Sequence, residues 1–329
     1  MPSRRWAASC ALALAIAFAA CAPPSSDAVG STRRLSIATG GTGGVFYPYG
    51  GGIAKVITEH LENVEATAEV TAASVDNLKF LEQGASDLAF TMADMAQDAL
   101  LARDVFTDFG AVRVRTLAVL YSSYAHLVTS ADSGISELAD LRGRVISTGA
   151  AGSGTTVLAR RMLRVAGLDP SRDIREQSLG VAQSVDALKD GKIDAFFWNG
   201  GLPTGAILDL VHTPGVKARF VPTAGLLPAL ERTFGPSLYY REIIPKATYD
   251  TDADVPVLGV ANLLVASETM PEELAHDITE LLFDRQAELA AIHPQARTLS
   301  LATALTGSPV PFHPGAIRFY RERQVWTGP

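Results

Sequence analysis

The fold of this chain is decided by two related stretches, TGGTGG at residues 39–44 and TGAAGSGT at residues 148–155. SVDNLK begins at Ser74, 35 positions after the first stretch opens, and SVDALK begins at Ser184, 36 positions after the second. In both halves a glycine and then an Asp-led apolar segment follow in the same order. Four ordered landmarks at nearly constant spacing indicate that the chain consists of two similar halves.

Each half is expected to alternate strands with helices. After the first glycine-rich stretch, apolar residues recur at the three- and four-residue spacing of one helix face, and short strand-like segments flank them. This alternation implies parallel sheets that helices cover on both faces, an α/β fold. The predicted strands are 35–38, 65–72, 88–91, 144–147, 174–179 and 193–197, and the predicted helices include 155–166, 184–189 and one that Ser74 caps and Gly84 ends.

Two α/β lobes leave a cleft between them. Ligands in such folds bind outside the carboxyl ends of the strands, where both glycine-rich stretches lie. The chain is expected to cross between the lobes near 121–126 and again near 257–262, and an amphipathic helix at 271–289 returns to the first lobe. The predicted lobe limits are 34–124 with 258–329 for the first lobe and 125–257 for the second.

The N-terminus is expected to be a processing signal followed by a tether. Arg4 and Arg5 precede an uncharged run of 14 residues, 7–20, which has the length of a signal-peptide core and is too short to span a bilayer comfortably. Small residues then precede Cys21, as in the lipidation site of bacterial lipoproteins, with ordinary cleavage nearby as the alternative. The prediction is a signal peptide at 1–20, a lipidated Cys21 that anchors the protein outside the cytoplasm, and a flexible Pro/Ser-rich tether at 21–33.

Composition argues against disorder and against nucleic-acid binding. Hydrophobic residues make up 47% of the chain and charged residues 19%, so a large core can form. The net charge is −7, from 28 basic and 35 acidic residues, and loss of Arg4 and Arg5 with the signal would leave 26 basic residues and a charge of about −9. An acidic protein is a poor partner for nucleic acid. Cys10 would leave with the signal, so no disulfide is expected.

Several ordered motifs point to a particular family: TGGTGGVFYPYGGGIAKVI, SVDNL, GSGT, DAFFWNGGLPT and VPFHPGAIRFYRE. Together they resemble the TAXI-type solute receptors of TRAP (tripartite ATP-independent periplasmic) transporters, over nearly all of the chain from about Leu35. The resemblance implies a two-lobe periplasmic-binding-protein fold of type II, hinge closure on a small organic acid or amino acid, and delivery to a membrane permease. One difference concerns the ligand: the family's usual Gln-Ser-Asp after the third strand is Met92-Ala93-Asp94 here. Asp94 either pairs with a ligand ammonium group or caps a helix.

The first half offers ligand-binding candidates around its glycine-rich loop. Gly41 and Gly43 let the backbone approach a ligand, and free N–H groups at the start of the next helix favour an anion. Thr42 offers a hydroxyl, Tyr47 a ring that stacks on or caps the ligand, and Ser74 a hydroxyl at the end of a strand. The structural alternatives are a tight strand–helix turn without a ligand and simple helix capping by Ser74.

The second half offers a matching set of candidates. Ser153, Gly154 and Thr155 form the start of the opposing helix, where the two hydroxyls either contact the ligand or only cap the helix. Asn199 and Gly200 follow the third strand of this half. The Asn199 amide both donates and accepts hydrogen bonds, so it suits a carboxylate or an amino group.

An enzyme is the first alternative function, and the motifs argue against it. The histidines show no His-x-His or HExxH spacing, so no metal site is predicted. Ser153 lacks the G-x-S-x-G turn because Ala151 and Thr155 stand at the glycine positions, and Phe46 stands where a dinucleotide loop needs its last glycine. No catalytic residue and no cofactor are therefore predicted. The second alternative is a ligand sensor that signals to a membrane partner.

The expected ligand is a small organic anion, either a glutamate-like amino acid or a dicarboxylate such as 2-oxoglutarate. Two helix N-termini that face one cleft favour negative charge locally, whereas the acidic chain provides no long-range attraction for anions. No Arg or Lys lies within 39–44, 148–155 or 199–204, so binding is expected to rely on N–H and hydroxyl groups. The predicted partners are this anion, a TRAP-type permease and the membrane, through the lipid anchor.

Overall fold

The computed structural model describes residues 32–328 as a mixed α/β protein, in agreement with the predicted fold class. The predicted signal peptide, Cys21 and most of the tether lie outside the described residues, and Arg33 already begins the first strand. The strands are β1 Arg33–Ala38, β2 Val64–Glu69, β3 Leu88–Met92, β4 Val114–Ser130, β5 Val145–Ser147, β6 Arg175–Gln177, β7 Ala195–Gly200, β8 Ala218–Phe220, β9 Tyr239–Ile244 and β10 Val255–Ser267.

Helices cover both faces of the sheet and reproduce most of the predicted positions. They are α1 Phe46–His60, α2 Ser74–Glu82, α3 Ala93–Leu100, α4 Gly154–Val165, α5 Val181–Lys189, α6 Gly205–His212, α7 Leu227–Phe234, α8 Lys246–Tyr249, α9 Glu272–Asp284, α10 Gln286–Ile292 and α11 Pro314–Glu322. None of the helices in the described residues is long and apolar enough to cross a membrane.

Two long strands join the two lobes into one sheet with the order β2-β1-β3-β10-β4-β7-β5-β6. The first part of β4 pairs with β10, and its last part pairs with β7. In the same way, β10 pairs first with β9 and then with β3. The predicted crossings near 121–126 and 257–262 therefore lie within β4 and β10, and the lobe limits drawn at these crossings remain a prediction.

The expectation of purely parallel sheets is wrong. Strands β1, β2 and β3 are parallel in the first lobe, and β5, β6 and β7 are parallel in the second. Strand β10 is antiparallel to β3 and to β4, and β4 is antiparallel to β7. The reason is that the chain traverses the molecule in opposite directions along β4 and β10, so each connecting strand opposes its neighbour.

Equivalent backbone contacts support the two-half organisation. Thr39 and Thr148 each donate their backbone N–H to the last residue of the neighbouring parallel strand, at 3.1 and 3.0 Å. Asp87 and Asp194 each accept a backbone N–H from the first strand of their half, at 2.9 and 2.7 Å. The glycine-rich stretches and the Asp-led third strands are therefore equivalent in structure as well as in sequence.

The two similar six-residue segments, SVDNLK and SVDALK, do not occupy equivalent positions in their helices. Ser74 is the first residue of α2, whereas Ser184 is the fourth residue of α5. Both helices end before a glycine in the left-handed region, Gly84 at φ 70° and Gly191 at φ 68°, as predicted for Gly84. When the two helices are aligned at these glycines, the two six-residue segments lie three residues, or about one helical turn, out of register with each other.

The chain returns to the first lobe through two helices instead of the single one predicted at 271–289. Helix α9 ends at Asp284 and α10 begins at Gln286, on either side of Arg285 with its non-helical φ of −110°. Both helices contact α1. The amphipathic pattern is therefore right in position, but an apolar stripe alone does not reveal a one-residue break.

Candidate functional site

A cavity of about 290 Å³ lies between the two lobes, at the carboxyl ends of β1, β3, β5 and β7. This is the edge at which α/β sheets bind their ligands, and the volume is close to the lower limit for small-molecule sites. Nine of the eleven predicted site residues line it: Gly41, Thr42, Gly43, Ser74, Ser153, Gly154, Thr155, Asn199 and Gly200. Tyr47 and Asp94 are not among the residues that line the cavity.

The glycine-rich loop of the first lobe packs directly on the second lobe. A Cβ added at Gly44 would lie 2.8 Å from the ring of Trp198, and one added at Gly43 would lie 3.1 Å from the Ala182 side chain. The backbone N–H of Ala206 also donates to the Gly43 carbonyl oxygen, at 3.4 Å. These contacts hold the lobes together and require the loop to have no side chains at its closest points.

Ser74 does not cap its helix, contrary to the prediction. The N-cap of α2 is Ala73, with φ 89°, and the Ser74 side chain accepts the backbone N–H of Met92 at 3.1 Å. The hydroxyl therefore links the start of α2 to the end of β3 at the cavity wall. Across the cleft, the backbone N–H of Asp76 donates to the carbonyl oxygen of Gly152 at 3.1 Å, another contact between the lobes.

The start of α4 forms the opposite wall. Ser153 is the N-cap, because its Oγ accepts the backbone N–H of Thr156 at 3.1 Å. Thr155 Oγ1 lies 3.3 Å from the backbone nitrogen of Asn199, whose N–H donates to it. A Cβ on Gly154 would lie 2.6 Å from the sulfur of Met92. Only glycine therefore lets α4 begin this close to the first lobe.

Two buried polar groups on the cavity wall have no hydrogen-bond partner in the described residues: the Tyr121 hydroxyl and Asn199 Oδ1. Tyr121 is 4% exposed and Asn199 is 8% exposed. Burying a polar group without a partner costs about 1–3 kcal/mol. Burial raises the pKa of Tyr121 well above its usual value, with a smaller contribution from Tyr49, so its hydroxyl keeps its proton. Both residues line the cavity through other atoms, because these two atoms have almost no exposed surface.

Asp94 is held by protein groups away from the cavity. The Tyr239 hydroxyl donates to its Oδ2 at 2.8 Å, and the backbone N–H of Met95 donates to its Oδ1 at 2.9 Å. Arg161 of α4 lies 3.5 Å from the same carboxylate and also pairs with Asp98. Burial raises the pKa of Asp94 to about 6, against the lowering effect of Arg161. Its carboxylate therefore contributes to a contact between α3 and α4 and not to the cavity wall.

Comparison with known families identifies the family of this chain. The sequence model of the NMT1-like family matches residues 37–323. The chain belongs to the NMT1-like family. The matched region includes every residue on the cavity wall.

Solved structures show the fold of this NMT1-like protein. A protein of Bordetella bronchiseptica RB50 is 20% identical with a TM-score of 0.53, and the match covers 88% of each chain. A structure described for glutathione import through GshT and the cystine ABC importer TcyBC of Streptococcus mutans is 12% identical with a TM-score of 0.50, covering 80% of this chain and 94% of that one. The periplasmic aliphatic sulphonate binding protein SsuA of Escherichia coli is 19% identical with a TM-score of 0.48, covering 89% and 84%. This protein shares its overall fold with the first two of these structures.

A further helix start adjoins the cavity of this NMT1-like protein, and it was not predicted from the sequence. Helix α5 begins at Val181, and residues Gly180, Val181, Ala182 and Gln183 line the wall. The Gln183 side chain accepts the backbone N–H of Gly180 at 3.0 Å. A glycine followed by Gln three residues later is a recognisable helix start. The similarity between SVDNLK and SVDALK instead led to a predicted start of this helix at Ser184.

The aromatic residues Phe46 and Tyr121 were missed as well, whereas for Trp198 the sequence left core packing and a place at the site equally open. Phe46, Tyr121 and Trp198 line the cavity, and the indole N–H of Trp198 donates to Thr204 at 2.9 Å. Phe46 takes the place that was predicted for its neighbour Tyr47. A glycine-rich loop does not fix which of two adjacent rings turns inward, so the choice between them leaves no signal in the sequence.

Two groups of side chains outside the cavity place three metal-ligand atoms within 4.8 Å of one another: Glu59, His60 and Glu288, and Glu273, His276 and Asp277. Both groups lie on helices of the first lobe and include exposed carboxylates. His276 Nε2 is 2.9 Å from Glu322, and His60 Nε2 is 3.3 Å from Glu288. Each histidine thus already contacts a carboxylate, and neither group adjoins the candidate site.

Proposed function

We propose that this protein is an extracytoplasmic solute receptor that captures a small organic anion between its lobes and delivers it to a membrane permease. One observation carries the proposal. The starts of α1, α2, α4 and α5 meet at one cavity between the lobes. Helix starts have N–H groups without partners inside the helix, and their dipoles favour negative charge.

The energies are sufficient for a useful affinity. A hydrogen bond to a charged group contributes about 1.5–3 kcal/mol, and a helix dipole adds about 0.3–2 kcal/mol. Three or four such contacts reach the roughly −8 kcal/mol of a micromolar complex. The described side chains on the cavity wall are neutral, so the backbone supplies most of the attraction for the anion.

Binding without catalysis is what this wall favours. Its polar groups are backbone N–H groups, hydroxyls and the amides of Gln183 and Asn199. General acid–base catalysis usually needs a side chain that titrates near the working pH, and nucleophilic catalysis needs an activated nucleophile. Ser153 is committed to capping α4 and lies beside no such base on the wall.

A TRAP-type permease is the proposed partner, with Cys21 as the proposed lipid anchor. Support comes from the resemblance of the ordered motifs to TAXI receptors and from the two-lobe fold, in which β4 and β10 form the connections that bend on closure. A sensor that signals to a membrane partner would use the same fold and cavity. Genes for a TRAP permease beside the gene of this protein would favour the receptor.

A thermal-shift screen tests the proposed ligand class. Purified protein lacking the first 31 residues is heated with monocarboxylates, dicarboxylates, amino acids, sugars and cations. A ligand at about 100 times its Kd stabilises the folded state by roughly 2.7 kcal/mol, so at least one carboxylate is expected to raise the melting temperature by several degrees. If only sugars or cations raise it, the proposal is wrong.

A further inference from the structure

We infer that the cleft opens on one side only. The lobes turn about the contact between α3 and α4, so that the glycine-rich loop, residues 41–44, leaves the second lobe while Arg161 keeps its partners in the first. The inference goes beyond the proposed function, because it concerns the movement of the lobes and does not depend on which ligand binds. Three features carry it: the arrangement of the apolar cores, the charged groups around Arg161 and the weaker contacts of the loop.

The apolar core is continuous between the lobes on one face of the sheet and divided on the other. One cluster of buried residues includes Met95 of the first lobe and Leu158 of the second. Phe197 of β7 belongs to this cluster, whereas its neighbour Phe196, on the opposite face, belongs to a cluster confined to the second lobe. The buried residues of α1 form a separate cluster within the first lobe. Opening on the continuous face would expose apolar surface to water, which is unfavourable, whereas the divided face opens without splitting a core.

Charged groups from both lobes meet on the continuous side. Arg161 of α4 pairs with Asp98 of α3 and, at 2.8 Å, with Asp104, which follows α3. Its guanidinium group also lies 3.5 Å from Asp94 and 4.5 Å from the centre of the Phe234 ring of α7. Because Arg161 is 1% exposed, water does not reach it to replace these bonds as the groups begin to move apart. Charge-assisted hydrogen bonds without such replacement are costly to break, so the movement is expected to preserve this contact.

The contact between α3 and α4 lies beside one of the strands that cross between the lobes. The Tyr239 hydroxyl accepts a hydrogen bond from Arg161 at 3.0 Å and donates one to Asp94 at 2.8 Å, and Tyr239 itself pairs with Val260 of β10. The end of β3, just before Asp94, pairs with the same strand. The contact therefore adjoins a segment that bends on closure, where a rotation displaces atoms least.

The glycine-rich loop makes the weaker contact, on the divided face. In the part of the chain that the structure describes, one backbone hydrogen bond joins the loop to the second lobe, from the N–H of Ala206 to the carbonyl oxygen of Gly43 at 3.4 Å. The remaining loop contacts are van der Waals contacts such as that with the Trp198 ring. A further bond between the lobes, from the N–H of Leu202 to Gln295 Oε1 at 2.8 Å, lies outside the loop. The loop can thus leave the second lobe without exposing a core or a buried charge.

The movement gives the four helix starts at the cavity different roles. The starts of α2 and α4 stay together, because a Cβ on Gly154 would lie 2.6 Å from the sulfur of Met92 and 3.0 Å from the Ser74 hydroxyl. The starts of α1 and α5 lie on the side that opens, and they complete the cavity only on closure. The ligand is therefore expected to enter between the glycine-rich loop and α5.

Distances between pairs of spin labels, measured by pulsed electron paramagnetic resonance, test the inference without a ligand. Both cysteines of the chain lie within the first 31 residues, so protein that lacks these residues has no cysteine of its own. One labelled pair is Lys55→Cys on α1 with Asp209→Cys on α6, across the side expected to open. The other is Val105→Cys with Arg164→Cys, across the contact between α3 and α4. All four positions are exposed.

In the ligand-free protein we expect the 55–209 pair to show a broad distribution that extends to distances longer than in the structure. The 105–164 pair should show a narrow distribution centred on its distance in the structure. Broadening at the 105–164 pair would overturn the inference, and so would a narrow 55–209 distribution that matches the structure. Addition of 2-oxoglutarate or L-glutamate should then narrow the 55–209 distribution. If neither does, and no carboxylate acts in the thermal screen, the proposed function fails while the inference about the movement stands.

A double variant tests the role of Arg161 in this contact. Asp98→Asn combined with Asp104→Asn removes two of the three carboxylates that the first lobe offers to Arg161, so the 105–164 distribution should broaden. Asp173→Asn is the control, because it removes a carboxylate from an arginine within the second lobe, Arg142. It should leave both distributions unchanged. A 105–164 distribution that stays narrow in the double variant would overturn the part assigned to Arg161.

Discussion

Replacing Arg161 with methionine is expected to destabilise the protein by about 3–5 kcal/mol at pH 8, measured by urea unfolding with circular dichroism. Arg161 is 1% exposed, pairs with three carboxylates from Asp94, Asp98 and Asp104, and donates to the Tyr239 hydroxyl at 3.0 Å. Removing one partner of a buried ion pair leaves an uncompensated charge, which costs about this much. Asp94, fully buried, is the carboxylate left without a cation or solvent.

The pH dependence and a control variant identify the cause. The pKa of Asp94 is already raised to about 6 by burial, and loss of Arg161 removes the charge that lowers it. A raised carboxyl pKa in the folded state means that stability falls as pH rises through that pKa, so Arg161→Met should be less destabilising at pH 5 than at pH 8. Asp94→Asn should cost only about 1 kcal/mol, since Arg161 keeps two carboxylates. Equal costs for the two variants would contradict this explanation.

Replacing Gly44 with alanine is expected to weaken ligand binding by about 5- to 150-fold, measured by titration calorimetry. The added methyl group would lie 2.8 Å from the ring of Trp198, within the contact between the lobes. Overpacking of this kind costs about 1–3 kcal/mol, and the cost falls on the closed arrangement that binds the ligand. Small-angle scattering should show a larger radius of gyration for this variant than for the wild type at the same ligand concentration.

Two controls accompany the Gly44 variant. Gly51→Ala adds the same methyl group where no atom lies within 4 Å and outside the cavity wall, so affinity should not change. Trp198→Phe removes the ring atoms that the methyl group added at position 44 would meet, so it should cost less affinity in the Gly44→Ala background than alone. Wild-type affinity in Gly44→Ala would show that the lobes do not close as described.

The order of the strands and helices could largely be predicted from the sequence. Gly-rich turns after short strands and a glycine at the end of α2 depend on local conformational preferences, so the element order and the edge of the sheet that holds the cavity followed from them. The antiparallel placement of β4 and β10 could not be predicted in the same way, because it depends on which distant strands they pair with. The break at Arg285 leaves the apolar stripe intact and so left no signal.

The residues of the candidate site also fall into two groups, those that the local sequence predicts and those whose role depends on distant residues. Residues that line the cavity through their backbone position, such as Gly43 and Gly154, follow from their place after a strand. Side chains whose role depends on distant partners do not. Asp94 is engaged by Arg161, 67 positions away, and Tyr121 reaches the cavity from within a long strand. The sequence around Gly180 carries the signal for the start of α5. The similarity between SVDNLK and SVDALK instead led to a predicted start at Ser184.

A crystal structure of the protein with the carboxylate that gives the largest thermal shift tests the central claim most directly. We expect ligand density to fill the cavity between the lobes, with the carboxylate within hydrogen-bond distance of backbone N–H groups at the starts of α4 and α5. Only ordered water in the cavity at saturating ligand, or the ligand bound elsewhere on the protein, would contradict the claim.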